Sequence, residues 1–77
     1  MPVALDEIRT LVRLQLGARE ARAEDRIVED LGAESLDIVG ILAAVEDRFG
    51  VSLDETAIPE IRTVADLHRT VAGLLSS

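Results

Sequence analysis

The sequence predicts an all-α domain: a four-helix bundle of three longer helices and one short one, with a long loop between helices 1 and 2. Three observations carry this prediction. Apolar residues recur at steps of three and four in three separate segments, which places them along one side of a helix. Glycine, proline and capping residues fall at the ends of those segments. No useful length of chain alternates apolar and polar residues, as a half-buried strand would.

The first stripe is Leu5, Ile8, Leu11, Val12 and Leu16, a helix over 3–16 stopped by Gly17. A long connection follows over 17–34, rich in Arg and Glu, with Ile27, Val28 and Leu31 expected to anchor it inward. Loops of this length are uncommon in compact domains and often functional. The second helix runs from Ser35 to Phe49 and is ended by Gly50. Pro59 disfavours helical geometry at Ile58, so any helix within 55–62 is brief. The last helix begins near Thr63, with Asp66 three residues on in near capping-box spacing, and its stripe is Val64, Leu67, Val71, Leu74 and Leu75.

Composition bounds the function. At 77 residues the chain is one domain, 1–77. Hydrophobic residues are 48% of it, yet Phe49 is the sole aromatic, so the core is aliphatic. A core of this size supplies only about 3–5 kcal/mol. Little scaffold remains for a deep catalytic pocket, which favours a binding or carrier module over an enzyme. The net charge of −7 disfavours nucleic acid and anionic membrane surfaces and calls for basic partners. That charge is uneven: acids and arginines balance over 1–26, and the whole excess lies in 27–77. No membrane span or signal peptide is evident. With no Cys, disulfides and thiolate metal sites are excluded and a cytoplasmic location is expected; one His builds no multi-His metal site. Met1 at the start and Ser76-Ser77 at the end point to a free-standing protein, with a segment of a larger synthase as the alternative.

The second helix carries two apolar stripes. At about 100° per residue, Ile41, Leu42, Val45 and Phe49 lie within about 60° of Ile38, and this is the core face. Leu36, Val39 and Ala43 lie on another side, at about 100° to 160°, flanked by Glu46 and Asp47. One reading is a docking surface with an apolar centre and a carboxylate rim. The other is that Leu36 and Val39 pack under the long loop and Ala43 serves helix propensity. Gly40 shares the outer side, where it either admits a close partner or is simply tolerated.

Ser35 stands where the loop meets this helix. The ordinary role of a Ser there is a cap. A nucleophile would need an adjacent base, and the only His is His68. A hydroxyl at a helix N-terminus also sits where unpaired N–H groups and the helix dipole favour a phosphate.

The residues Val28-Glu29-Asp30-Leu31-Gly32-Ala33-Glu34-Ser35-Leu36-Asp37 resemble the attachment motif of acyl carrier proteins, written Asp-Leu-Gly-x-Asp-Ser-Leu-Asp at its centre. Glu46-Asp47-Arg48-Phe49-Gly50-Val51 and Ile61-Arg62-Thr63-Val64-Ala65-Asp66-Leu67 resemble that family's second and fourth helices, so the likeness spans nearly the whole chain. The resemblance implies that Ser35 accepts 4′-phosphopantetheine from coenzyme A through a separate Mg²⁺-dependent transferase. Acyl groups then ride as thioesters on the arm, in fatty-acid, polyketide or related biosynthesis. It implies a monomeric carrier that is not itself a catalyst. Its second helix would dock the phosphopantetheinyl transferase and acyl-processing enzymes through their basic patches. On that helix and just before it, Leu36 and Val39 match apolar docking positions, Asp37, Glu46 and Asp47 match acidic ones, Ala43 replaces a frequent Met, and Glu34 stands where Asp is usual. Gly40 and Arg48 replace common acids, which suggests a narrower set of partners. Pro59 bears on the gate to the space between helices where some carriers tuck their cargo, and His68 either lines that space or presents its tip to solvent. The alternatives are an aminoacyl or D-alanyl carrier using the same arm, or an unmodified helical interaction domain.

Overall fold

The computed structural model describes residues 3–54 and 56–76. Met1, Glu55 and Ser77, which enter the sequence reading, lie outside them. The described elements are α1 (Leu5–Leu16), α2 (Ser35–Phe49), a 3₁₀ turn (Ile58–Glu60) and α3 (Val64–Ser76). The molecule is all-helical; the described residues hold no strand, only an isolated bridge between Arg26 and Thr63.

The boundaries follow from local chemistry. α1 starts at Leu5, later than expected, because Val3 is used otherwise. Val3 is buried, and its carbonyl accepts the His68 Nε2–H at 2.8 Å. α1 and α2 both end on a glycine in the left-handed region, Gly17 and Gly50, each with φ 66°. α3 begins with a reciprocal cap: Thr63 Oγ1 accepts the Asp66 N–H at 3.0 Å, and Asp66 Oδ2 accepts the Thr63 N–H at 3.0 Å. The expected short fourth helix is not an α-helix among the described residues. Pro59 brings no N–H to continue a ladder, and only a 3₁₀ turn forms around it.

α1 packs on both α2 and α3. Ile8 and Val12 of α1, Ile41 and Val45 of α2, and Val64, Leu67 and Val71 of α3 are the most deeply buried side chains. This core is aliphatic, as the composition requires. The long loop over 17–34 is pinned along the start of α3. Ala65 N–H donates to Ala23 O at 2.9 Å, Val64 N–H to Asp25 O at 3.1 Å, and Ile27 N–H to Arg62 O at 2.8 Å. Ile27 is buried and Leu31 half-buried, as expected, but Val28 is exposed. The turn that follows Ile27 buries Ala33 in its place: Ala33 N–H donates back to Ile27 O at 3.1 Å.

Candidate functional site

Burial of Ala33 immediately before α2 fixes how the chain enters that helix. Two residues later Ser35 is exposed, as the first helical residue and not the cap. Glu34 holds the cap position, with an extended backbone at φ −97° and ψ 174°. Asp37 Oδ2 accepts the Glu34 N–H at 2.9 Å. The capping role open to Ser35 is therefore taken by its neighbours, and the Ser35 hydroxyl makes no hydrogen bond with any described residue. It stands in solvent at the positive end of a fifteen-residue helix.

The outer side of α2 is apolar and uncovered. Leu36 is 83% exposed and Val39 62% exposed, and Ala43 beside them is also exposed. Packing under the loop is thereby excluded for Leu36 and Val39. Ile41 and Val45 face the core, with Ile38, Leu42 and Phe49 half-buried against it.

The acids of this face differ in freedom. Asp47 is exposed and makes no ion pair among the described residues. Glu46 is half-buried, and its Oε2 accepts the Leu53 N–H at 2.7 Å, tying down the loop after α2. Asp37 is half-buried in its capping role. Arg48 stays on the same molecule, 3.9 Å from the Glu7 carboxylate and 5.9 Å from the Phe49 ring centre. Gly40 does not face outward freely: a Cβ there would meet Gln15 Nε2 of α1 at 2.8 Å.

One turn along from Ser35, Ile38 helps wall a groove of about 610 Å³, with Val28 on the loop side and Ile58, Pro59 and Ile61 of the turn opposite. Val28, Ile58 and Ile61 carry no periodic signal; they meet only because the loop and the turn converge beside α2. His68 is not part of this wall. It is half-buried, with its Nε2–H held by Val3 O. Its partial burial is as one expected role has it, and no side chain among the described residues is hydrogen-bonded to the Ser35 hydroxyl as a base. The described residues contain no cluster of potential metal ligands and no helix long and apolar enough to cross a membrane.

A free hydroxyl on a helix N-terminus thus stands near an exposed apolar face and a groove. Comparison with known proteins shows the class of protein to which this arrangement belongs. A family model described as "Phosphopantetheine attachment site" matches residues 6–71. The chain is 38% identical over 78 residues to "Acyl carrier protein 3" of Ralstonia nicotianae, covering 99% of this chain and 90% of that one. It is 35% identical over 68 residues to "Acyl carrier protein" of Wolinella succinogenes, covering 86% and 90%, and 34% identical over 71 residues to "Acyl carrier protein" of Campylobacter curvus, covering 90% and 92%. The chain belongs to the acyl carrier protein family. It is a carrier and not an enzyme, and its cofactor is 4′-phosphopantetheine.

The residues present fit that group. An exposed, unbonded hydroxyl is available for a phosphodiester, and its place at the positive end of α2 suits that group's negative charge. When bound, the group supplies a flexible thiol-ended arm on which acyl groups travel.

Proposed function

We propose that Ser35 is the attachment residue, within a single carrier domain over 1–77. The observation that supports this reading is the exposed Ser35 hydroxyl, unbonded because Glu34 and Asp37 do the capping. The attachment forms a bond from Ser35 Oγ to the phosphorus nearest the pantetheine of coenzyme A. The bond from that phosphorus to the adenosine bisphosphate portion breaks, and that portion leaves. The Ser35 proton goes to a base of the transferase, since no described side chain is hydrogen-bonded to the Ser35 hydroxyl to take it. The 3₁₀ turn around Pro59 takes the place of the bundle's short fourth helix.

In the same reading, α2 is the docking face. Leu36, Val39 and Ala43 supply apolar contact, while Asp47, Glu34, Asp37 and Glu46 present negative charge to basic patches on the transferase and on acyl-processing enzymes. The chain acts as a cytoplasmic monomer in fatty-acid, polyketide or related assembly.

Intact mass after incubation with coenzyme A, Mg²⁺ and a broad-specificity phosphopantetheinyl transferase tests the assignment. One added phosphopantetheine, absent in Ser35→Ala, is expected. No gain with several transferases would favour an unmodified interaction domain. A gain that survives Ser35→Ala would move the attachment elsewhere.

A further inference from the structure

The groove beside α2 is apolar along its walls but carries one unused positive charge. Three charged side chains border it: Arg26, Glu29 and Arg62. Arg26 is neutralised. Its Nε lies 3.2 Å from Asp30 Oδ2 and 3.8 Å from Glu29 Oε2, and a second nitrogen lies 3.2 Å from Asp30 Oδ1. Arg62 is different. Its backbone is fixed at both groups: the N–H donates to Asp66 Oδ2 at 3.1 Å, and the carbonyl accepts the Ile27 N–H at 2.8 Å. Its guanidinium makes no ion pair or hydrogen bond with any described residue. The neighbouring acids leave it so: Glu60, two residues back, makes no ion pair with it, and Asp66 is already engaged by Thr63, by the Arg62 N–H and by Arg69. A chain of net charge −7 thus keeps a free, firmly based guanidinium at the edge of an apolar groove.

A plain alkyl cargo gains nothing from that charge. A cargo with an apolar stem and an anionic end is matched by both parts of the site: the stem lies against Ile38, Ile58 and Ile61, and the end meets Arg62 in a charge-assisted hydrogen bond. We propose that Arg62 makes this groove selective for acyl groups that end in a carboxylate. The proposal rests on the carrier reading of Ser35 and names the cargo class of that site. An arginine serving only to cover the apolar wall with its stem would leave its head in water and show no such preference.

The test uses the full chain loaded with the arm, verified by intact mass, then charged with either an octanoyl group or the suberic acid half-thioester of equal length. Two readouts are taken: the Arg62 Nε–H signal by NMR, and the rate of thioester cleavage by hydroxylamine relative to the same thioester on free pantetheine. At low salt the carboxylate-ended cargo is expected to be protected about two- to fivefold more than octanoyl, the range of a partly exposed ion pair. It should also shift the Arg62 signal. The excess protection should vanish in Arg62→Gln and in high salt, and survive in part in Arg62→Lys. Equal protection of the two cargoes, or a preference that Arg62→Gln leaves intact, overturns the proposal. So does an Arg62 signal that shifts fully on addition of the bare arm, which would assign the guanidinium to the arm's phosphodiester. Failure to gain the arm's mass would instead overturn the carrier reading, and this proposal with it.

Discussion

Ser35 is free because adjacent carboxylates do the work that a serine at a helix start usually does. The departure from the familiar motif, Glu34 in place of Asp, keeps this arrangement: Glu34 sits at the cap and Asp37 returns to its N–H. Hydrogen bonding also separates two acids that look equivalent in sequence. Asp47 is free, whereas Glu46 holds the Leu53 N–H. Asp47→Lys is therefore the clean probe of docking. It should slow association with the transferase by about two- to tenfold at low salt, chiefly in the on-rate, with thermal stability unchanged. Stopped-flow mixing at two salt concentrations checks this. Glu46→Lys should lower the melting temperature as well, so its effect on binding cannot be read alone. Thr63→Ala, which removes the cap hydroxyl bonded to the Asp66 N–H, should cost about 1 kcal/mol in urea unfolding.

Each helix shows a different relation between pattern and packing. α2 runs over the predicted residues because its signals are local: a polar entry, an apolar stripe and Gly50 in a conformation that L side chains resist. Gly50→Ala should destabilise by about 1 kcal/mol, measured by thermal or urea unfolding, from the left-handed backbone alone. Gly40→Ala points the other way. Its neighbour is the movable end of Gln15, so the gain in helix propensity, about 0.5–1 kcal/mol, should be largely kept. Pro59 made a brief element legible, but the choice of a 3₁₀ turn over a short α-helix depended on how the chain closes toward Ile61. Val28 misled for a related reason. Its apolar character suggested burial, yet the turn after Ile27 gives the interior to Ala33 and leaves Val28 on the groove.

In the molecule as a whole, an aliphatic core of modest size carries an acidic shell. Leu67 is fully buried between the helices, and Leu67→Ala should cost about 2–5 kcal/mol, comparable to the entire stability of so small a domain. Loss of helical circular dichroism at room temperature would register it. Acid should also loosen the fold. The backbone N–H groups of Thr63 and Arg62 hold Asp66 below its usual carboxylate range; the Thr56 N–H does the same for Asp54, and Arg26 for Asp30. A carboxyl with a lowered folded-state pKa binds protons more readily when unfolded. Its stabilising effect is present above its ordinary value, about 3.9 for Asp, and is lost as pH falls through the lower folded values. The melting temperature should fall between pH 5 and pH 2, on the order of the carboxyl titration range, and fall less steeply in Asp66→Asn.

The helical class, the limits of α2, the cap of α3 and the special position of Ser35 were all readable from the chain, because each depends on residues within one or two turns of one another. The two faces of α2 were also readable as a pattern, but not which of them lay open. That required the long loop to run along α3 and leave Leu36 and Val39 uncovered. The groove and its unpaired guanidinium belong wholly to the tertiary structure. Val28 lies on the loop, Ile38 on α2, and Ile61 and Arg62 more than twenty residues further on, and only the closing of the loop and the turn beside α2 brings them to one place. Local hydrogen bonding and periodicity decide elements; the convergence of distant segments decides surfaces, and it is on surfaces that a carrier meets its cargo and its enzymes.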